Sequence, residues 1–344
     1  MIRVVIAEDS VTVRELLCEI VRGDGGMTVV GEAGSGVEAV ELTRSLRPDL
    51  VVMDIAMPKM DGFEATRQIM IEAPTPIVIV SARYDVRDVE VSMHALRAGA
   101  LVAIPKPHGP RSPQFEDDAR EFIATLRLMS QVKVVRRWAR AERGTVSPVA
   151  ARPGLRPRII AMAASTGGPA ALHQILSELP EDFGVPILLV QHIARGFVAG
   201  FASWLDTAGP LRVQVASEGQ PLEPATVYIA PDDLHLGVAQ RSRIALVDAP
   251  PIQGFRPSAS HLFASVADQF GRSAVGVMLT GMGDDGCTGL AALRREGGRI
   301  LVQDEKTSVV FGMPGAVVQA GLADWTLPLP DIAATLRTLV TGGP

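Results

Sequence analysis

The sequence predicts an α/β protein of two domains, each built on a mostly parallel, doubly wound sheet with helices on both faces. Three observations carry this reading. Short apolar runs alternate with amphipathic stretches along the first hundred residues, the pattern of repeated β-α units. The alternation stops in a segment dense in Pro and Gly and then restarts. The length of 344 residues leaves room for two cores, given about 150 residues per domain.

In chain order, the apolar runs at residues 2–7, 28–31, 50–53, 77–80 and 101–104 are expected strands, enough for a small doubly wound domain. A helix is expected over residues 114–143, acidic at its start (Glu116, Asp117, Asp118) and basic at its end (Arg136, Arg137, Arg140, Arg143). The stretch GTVSPVAARPGLRP, residues 144–157, breaks helix and strand alike and reads as a linker. The expected division is therefore a first domain over 1–122, helix and linker over 123–157, and a second domain over 158–344. The second domain opens with a buried strand that runs into STGGPAALHQIL, where Pro169 suits the first turn of a helix. Runs at 185–190, 211–216, 226–230, 243–247, 274–279 and 299–302 are further strands, and turn residues within 227–247 favour a β-hairpin.

Composition excludes several classes. Hydrophobic residues at 47% and charged residues at 21% belong to a globular chain. A net charge of -5 argues against a protein that coats nucleic acid or anionic lipid. Nine basic residues against one acidic between Arg127 and Arg158 read as a solvated helix and linker rather than a nucleic-acid arm. Cys18 and Cys287 are too few for a disulfide framework or a four-cysteine metal site, so a reducing compartment is expected. The first apolar run is too short for a secretory core, and no stretch approaches the ~18 apolar residues of a membrane span. The expectation is a cytoplasmic protein without membrane insertion.

In the first half, chemistry-bearing residues follow the strands. Glu8 and Asp9 come after the first, Asp54 ends the third, Ser81 ends the fourth and Lys106 follows the fifth. In an open parallel sheet these carboxyl ends form one rim. Three carboxylates there repel one another unless they share a cation, and hard oxygen ligands suit Mg²⁺. Lys106 is able to neutralise a transferred phosphoryl group, and the Ser81 hydroxyl to donate to one of its oxygens. With the segments AEDS, MDIAMPKMDG and IPKP, residues 1–122 resemble the receiver domain of two-component response regulators, a flavodoxin-like five-stranded fold. The resemblance implies that Asp54 is the phospho-acceptor, that Glu8, Asp9 and Asp54 hold Mg²⁺, that Ser81 and Lys106 read the phosphoryl state, and that a histidine kinase is the phosphodonor. Ala103 stands where many receivers carry an aromatic switch residue, which departs from the usual rotating-ring relay.

In the second half, Ser165 sits between a strand and a helix start, beside backbone N–H groups that carry partial positive charge. Such a turn either cradles a phosphate or supports a nucleophilic serine with an oxyanion site. Neither the P-loop Lys nor a Gly-x-Ser-x-Gly elbow is present to decide. A nucleophile needs a base, and His192, closing the run VPILLVQH, lies on the same rim. His94 and His108 belong to the first half, His173 sits inside a helix, and His235 and His261 read as surface or hydrogen-bonded structural groups. The loop GMGDDGCTG offers Asp284 or Asp285 to orient the base. Cys287 beside that loop reads as a small packing thiol.

The segments ASTGGP, VQH, IAPDDLHL, RPS, LTGMGDDG and QDEKTSVVFGMP together resemble the effector domain of the chemotaxis protein-glutamate methylesterase family, from Arg158 nearly to the end. That resemblance implies a serine hydrolase with Ser165 as nucleophile, His192 as general base and Asp285 as orienting acid, with backbone N–H groups at Thr166 and Met282 binding the oxyanion. Its implied substrates are methylated chemoreceptors, with release of methanol, and its esterase reaction needs no cofactor. Gln253, Phe255 and Ser260 stand where family members often carry Asn, His and Asp. The rival reading is a non-enzymatic response regulator whose second domain binds a ligand phosphate or nucleic acid.

Overall fold

The structure, a computed structural model, describes residues 1–81, 95–96, 98–132, 156–240 and 242–342. The expected linker before Arg156, the basic end of the expected helix and His94 lie outside the described residues. The chain divides into two compact units, Met1–Ala139 and Arg140–Pro344.

The first unit holds a five-stranded parallel sheet of β1 (Ile2–Ala7), β2 (Met27–Ala33), β3 (Leu50–Asp54), β4 (Ile77–Ser81) and β5 (Val102–Pro105), in the order β2-β1-β3-β4-β5. Every residue of β3 and β4 is buried, which is why these strands read as continuous apolar runs rather than alternating ones. Helices α1 (Val11–Gly23), α2 (Gly36–Leu46) and α3 (Gly62–Glu72) start at Ser10, Ser35 and Asp61, each of whose side chains accepts from a first-turn amide. Helix α4 (Phe115–Met129) ends earlier than the charge pattern suggested. There the Ser130 hydroxyl donates to the Arg127 carbonyl at 2.8 Å, a local bond that competes with helix continuation.

The second unit is a seven-stranded parallel sheet of β6 (Ile159–Ala164), β7 (Ile187–Gln191), β8 (Arg212–Val215), β9 (Thr226–Ile229), β12 (Ala274–Met278), β13 (Arg299–Gln303) and β14 (Trp325–Leu327), ordered β14-β13-β12-β6-β7-β9-β8. Strands β10 (His235–Ala239) and β11 (Arg243–Val247) form a separate antiparallel hairpin, paired His235 to Val247 through Ala239 to Arg243. The helices in order are α5 (Gly168–Glu178), α6 (Val198–Asp206), α7 (Ala259–Phe270), α8 (Cys287–Arg295), α9 (Met313–Gln319) and α10 (Leu329–Thr341). Tyr228, Phe263, Val266, Met278 and Leu290 belong to the core that joins α7 and α8 to one face of the sheet. Winding reverses between β6 and β12, so the crevice beyond their carboxyl ends is the switch point where open α/β sheets place their chemistry. Among the described residues no helix is long and apolar enough to cross a membrane.

Candidate active site

The polar groups beyond β6, β7 and β12 converge at this crevice. Ser165 follows β6 and its amide donates to the Thr280 carbonyl after β12, at 3.0 Å. The His192 amide donates to the Ala164 carbonyl at 2.9 Å. Gln191, buried at the end of β7, donates through Nε2 to the carbonyls of both Ser165 (2.9 Å) and His192 (2.8 Å). One amide group thus fastens the serine turn to the histidine. Thr280 fixes the next residue, its hydroxyl donating to the Thr166 carbonyl at 2.9 Å. Among the described residues neither the Thr166 nor the Met282 amide donates a backbone hydrogen bond, so both remain available to an oxyanion.

Helix α5 packs so closely on this clamp that a Cβ at Gly168 would lie 2.1 Å from Gln191 Oε1 and 2.7 Å from the Ala164 Cβ. Gly168→Ala is therefore expected to displace Gln191 and cost about 1 to 3 kcal/mol. Differential scanning calorimetry should show a Tm several degrees lower; an unchanged Tm would mean that Gln191 has room to spare.

His192 Nε2 lies 3.0 Å from Asp285 Oδ2. Asp284 is exposed, whereas Asp285 is fully buried. The Asp285 carboxylate sits at the N-terminus of α7, where Ser258 is the cap. Ser258 Oγ (2.8 Å) and the Ser260 amide (3.0 Å) donate to its Oδ1, and the Ala259 amide donates to Oδ2 at 2.7 Å. Burial by itself raises this carboxyl's pKa. Hydrogen bonds from His192, the Ala259 amide and Ser258 outweigh burial and hold it well below the usual carboxylate range. Asp285 is thus an acceptor only, so the proton of the contact resides on Nε2, which in a neutral ring puts the lone pair on Nδ1. Among the described residues Nδ1 is buried with no partner.

Ser165 Oγ makes no hydrogen bond to the ring among the described residues. The expected series of hydroxyl, imidazole and acid is thus joined at the acid end and open at the serine, whose hydroxyl turns about one bond. Catalytic contacts commonly tighten only with substrate in place.

The other histidines among the described residues are engaged elsewhere. His235 is buried rather than at the surface, accepting from the Ser258 amide through Nδ1 at 3.2 Å while Nε2 faces the Pro250 carbonyl at 3.1 Å. His261 stacks on it at 5.0 Å, with its pKa lowered by burial and by His235. His173 packs on Trp204, and His108 Nδ1 meets Asp118 at 2.6 Å. Burial and Asp284 raise the Cys287 thiol's pKa, so nothing activates it as a nucleophile.

In the first unit, Glu8, Asp9 and Asp54 bring one carboxylate oxygen each within 4.8 Å of one another. Lys106 Nζ lies 2.8 Å from Glu8 and 3.0 Å from Asp54. Burial raises the pKa of both carboxyls against the pull of Lys106. Burial also works against the Lys106 ammonium, but Glu8 and Asp54 outweigh it and hold its pKa up. Ser81 Oγ is buried on the same rim with no partner among the described residues, next to the strand end where the Lys106 amide donates to the Ser81 carbonyl. An all-oxygen acidic set with an orphaned hydroxyl and an ammonium beside it fits Mg²⁺ and a phosphoryl group. Ala103 is buried in β5, where its methyl offers no ring to rotate.

Residues 160–336 match the sequence profile of the CheB methylesterase family, and residues 4–112 that of the response regulator receiver domain. The chain belongs to the CheB methylesterase family. It is 55% identical, over 99% of its length and 98% of the relative's, to protein-glutamate methylesterase/protein-glutamine glutaminase 4 of Myxococcus xanthus. Protein-glutamate methylesterase/protein-glutamine glutaminase 3 of Anaeromyxobacter dehalogenans is 54% identical, over 97% of each chain. The crystal structure of the Thermotoga maritima CheB methylesterase catalytic domain is 38% identical, covers 54% of this chain and 100% of its own, and superposes with a TM-score of 0.52. A CheB methylesterase with a receiver domain is an enzyme under phosphorylation control.

Sequence reasoning missed three supports of this CheB site. Gln191 was legible only as a polar residue closing an apolar run. Ser258 had a signal, being a serine immediately before the amphipathic stretch ASHLFASV, the mark of an N-cap. Phe255 stacks on the His192 ring with centroids 4.2 Å apart and planes at 9°, a contact with no local signature.

Proposed function

We propose that this chain hydrolyses glutamate γ-methyl esters on cytoplasmic stretches of chemoreceptors, as adaptation in chemotaxis requires, with Ser165 as nucleophile, His192 as general base and Asp285 as its orienting acid. The observation that supports this best is the 3.0 Å contact of His192 Nε2 with Asp285 beside an Nδ1 that is buried and, among the described residues, unpartnered. Nδ1 is then the atom that takes the serine proton, the reverse of the nitrogen assignment in the serine-protease triad. As Ser165 Oγ bonds to the ester carbonyl carbon, its proton passes to Nδ1, and the carbonyl oxygen gains charge between the Thr166 and Met282 amides. The C–OCH₃ bond then breaks, the proton returns to the methoxy oxygen, and methanol leaves. Water attacks the glutamyl-serine ester by the same proton path, restoring the serine and freeing the receptor carboxylate. Receptor glutamine amides are slower substrates of the same groups, because ammonia is the poorer leaving group.

Asp54 accepts the phosphoryl group from a histidine kinase. Glu8, Asp9 and Asp54 would hold Mg²⁺, which when bound offsets the negative charge gathered at the phosphoryl oxygens. Lys106 and Ser81 pair with those oxygens once the phosphoryl group is in place, and the release of Lys106 from Glu8 and Asp54 is the local change that separates the two states. A tenfold shift in active population requires about 1.4 kcal/mol of differential interaction, within the reach of one dianionic group. The chain works in the cytoplasm, without nucleic acid.

Methanol release from methylated receptor membranes, followed with and without acetyl phosphate, tests the reading. Release that rises with acetyl phosphate is expected; no release under either condition would overturn it. Asp54→Asn is expected to take up no phosphoryl group from labelled acetyl phosphate and to lose the response to it while keeping basal esterase activity. Undiminished labelling of that variant would move the acceptor elsewhere.

A further inference from the structure

We propose that Phe255 is a positioning residue for the esterase reaction, its ring lying flat on the His192 imidazole and stabilising the imidazolium that forms when Nδ1 takes the serine proton. This rests on the reading of Ser165 and His192 given above. Nε2 of the imidazole is engaged by Asp285, and Nδ1 is the atom that takes the serine proton in the reading above. Phe255 covers one face of the ring, at 4.2 Å and 9°. The His192 side chain is only 10% exposed, so little water is present to screen the contact.

The geometry favours the charged ring over the neutral one. A neutral imidazole on an aromatic face gains only the modest attraction of a stacked pair. A cation over the same face is attracted more strongly, by the ring quadrupole. The stack therefore strengthens at the moment the proton moves, and a contact that is stronger in the transition state than in the ground state raises kcat.

The backbone holds Phe255 in place for this. Ile252 and Phe255 exchange two hydrogen bonds (3.0 and 2.9 Å) across Gln253 and Gly254, whose φ values of 52° and 87° make a tight turn of the mirror-image kind. The next residue, Arg256, donates to Asp248 (3.0 Å) and to the Ala249 carbonyl (3.2 Å), which pins the turn. Two residues on, Ser258 begins the set of donors that holds Asp285. One short segment thus sets both the face and the edge of the base.

The test measures kcat and KM for methanol release by the full chain in the presence of acetyl phosphate. Phe255→Leu is expected to lower kcat about five- to thirtyfold with KM within about twofold, and Phe255→Tyr or Phe255→Trp to restore most of it. Because leucine also alters packing, a second series replaces Phe255 by its 4-fluoro, 3,5-difluoro and 3,4,5-trifluoro analogues, which keep the ring's shape and drain its quadrupole. A stepwise fall in kcat along that series is expected. A flat series, or a leucine variant that changes KM alone, would overturn the inference while leaving the esterase intact. Failure of the unsubstituted chain to release methanol would overturn the esterase reading itself, and this inference with it.

Discussion

Ser165→Ala should reduce methanol release from methylated receptor by on the order of 10⁴ to 10⁶ while leaving the fold intact. The size follows from what the hydroxyl does. Without it no acyl-enzyme forms, and His192 and the Thr166 and Met282 amides are left to assist only direct attack by water. Residual catalysis over water, roughly 10³ to 10⁴ in enzymes whose triads have been removed, is the floor. The substitution costs little stability, because the Ser165 contacts that shape the turn are made by its backbone: its amide to Thr280 and its carbonyl to Gln191 and the Gly168 amide. A serine-directed phosphonate should label the unsubstituted chain and not the variant. Near-normal turnover in Ser165→Ala would remove the nucleophile from the mechanism.

Much of this site was legible because parallel sheets put their chemistry directly after apolar runs. The runs that mark β1, β3, β6 and β7 end at Glu8, Asp54, Ser165 and His192, so one signal located both the strand and the residue. Strand boundaries shifted by one or two residues at several ends, where polar residues such as Ser81 and Gln303 extend the ladder without extending the apolar run. Strand β14 was missed altogether. It is three residues long, lies at the sheet edge and has no buried residue, so it leaves no run to read. The contacts that support the triad were invisible for a different reason, even where the N-cap at Ser258 was itself readable. Gln191 reaches across 26 residues to Ser165 and Ser258 across 27 to Asp285, and such contacts are fixed by tertiary packing with no periodic trace. The choice between Asp284 and Asp285 had the same character: adjacent identical residues differ only in which one turns inward to the start of α7.

Asp285→Asn should lower kcat by about 10⁴, and the geometry says why an isosteric change does so much. Both oxygens of Asp285 accept: Oδ1 from Ser258 and Ser260, Oδ2 from Ala259 and His192. An amide supplies one acceptor oxygen and one NH₂ donor. With NH₂ toward His192, the ring must accept at Nε2 and carry its proton on Nδ1, which leaves no lone pair for the serine. With NH₂ on the other side, it meets the Ser260 amide donor head-on. Either way a buried donor loses its partner, so stability falls as well, by about 1 to 3 kcal/mol for the unsatisfied group. The pH dependence separates this cause from a loosened fold. Asp285 has its folded pKa held below the unfolded value of about 3.9, so its contribution to stability is full above that pH and is lost as pH falls toward the lower folded value. The gap in urea midpoint between the unsubstituted chain and Asp285→Asn should therefore stay constant from neutral pH to about 5 and narrow only below about 4. A gap that closes already between neutral pH and about 5 would take the loss away from the carboxylate, and would break the link between the acid held at the start of α7 and the base it orients.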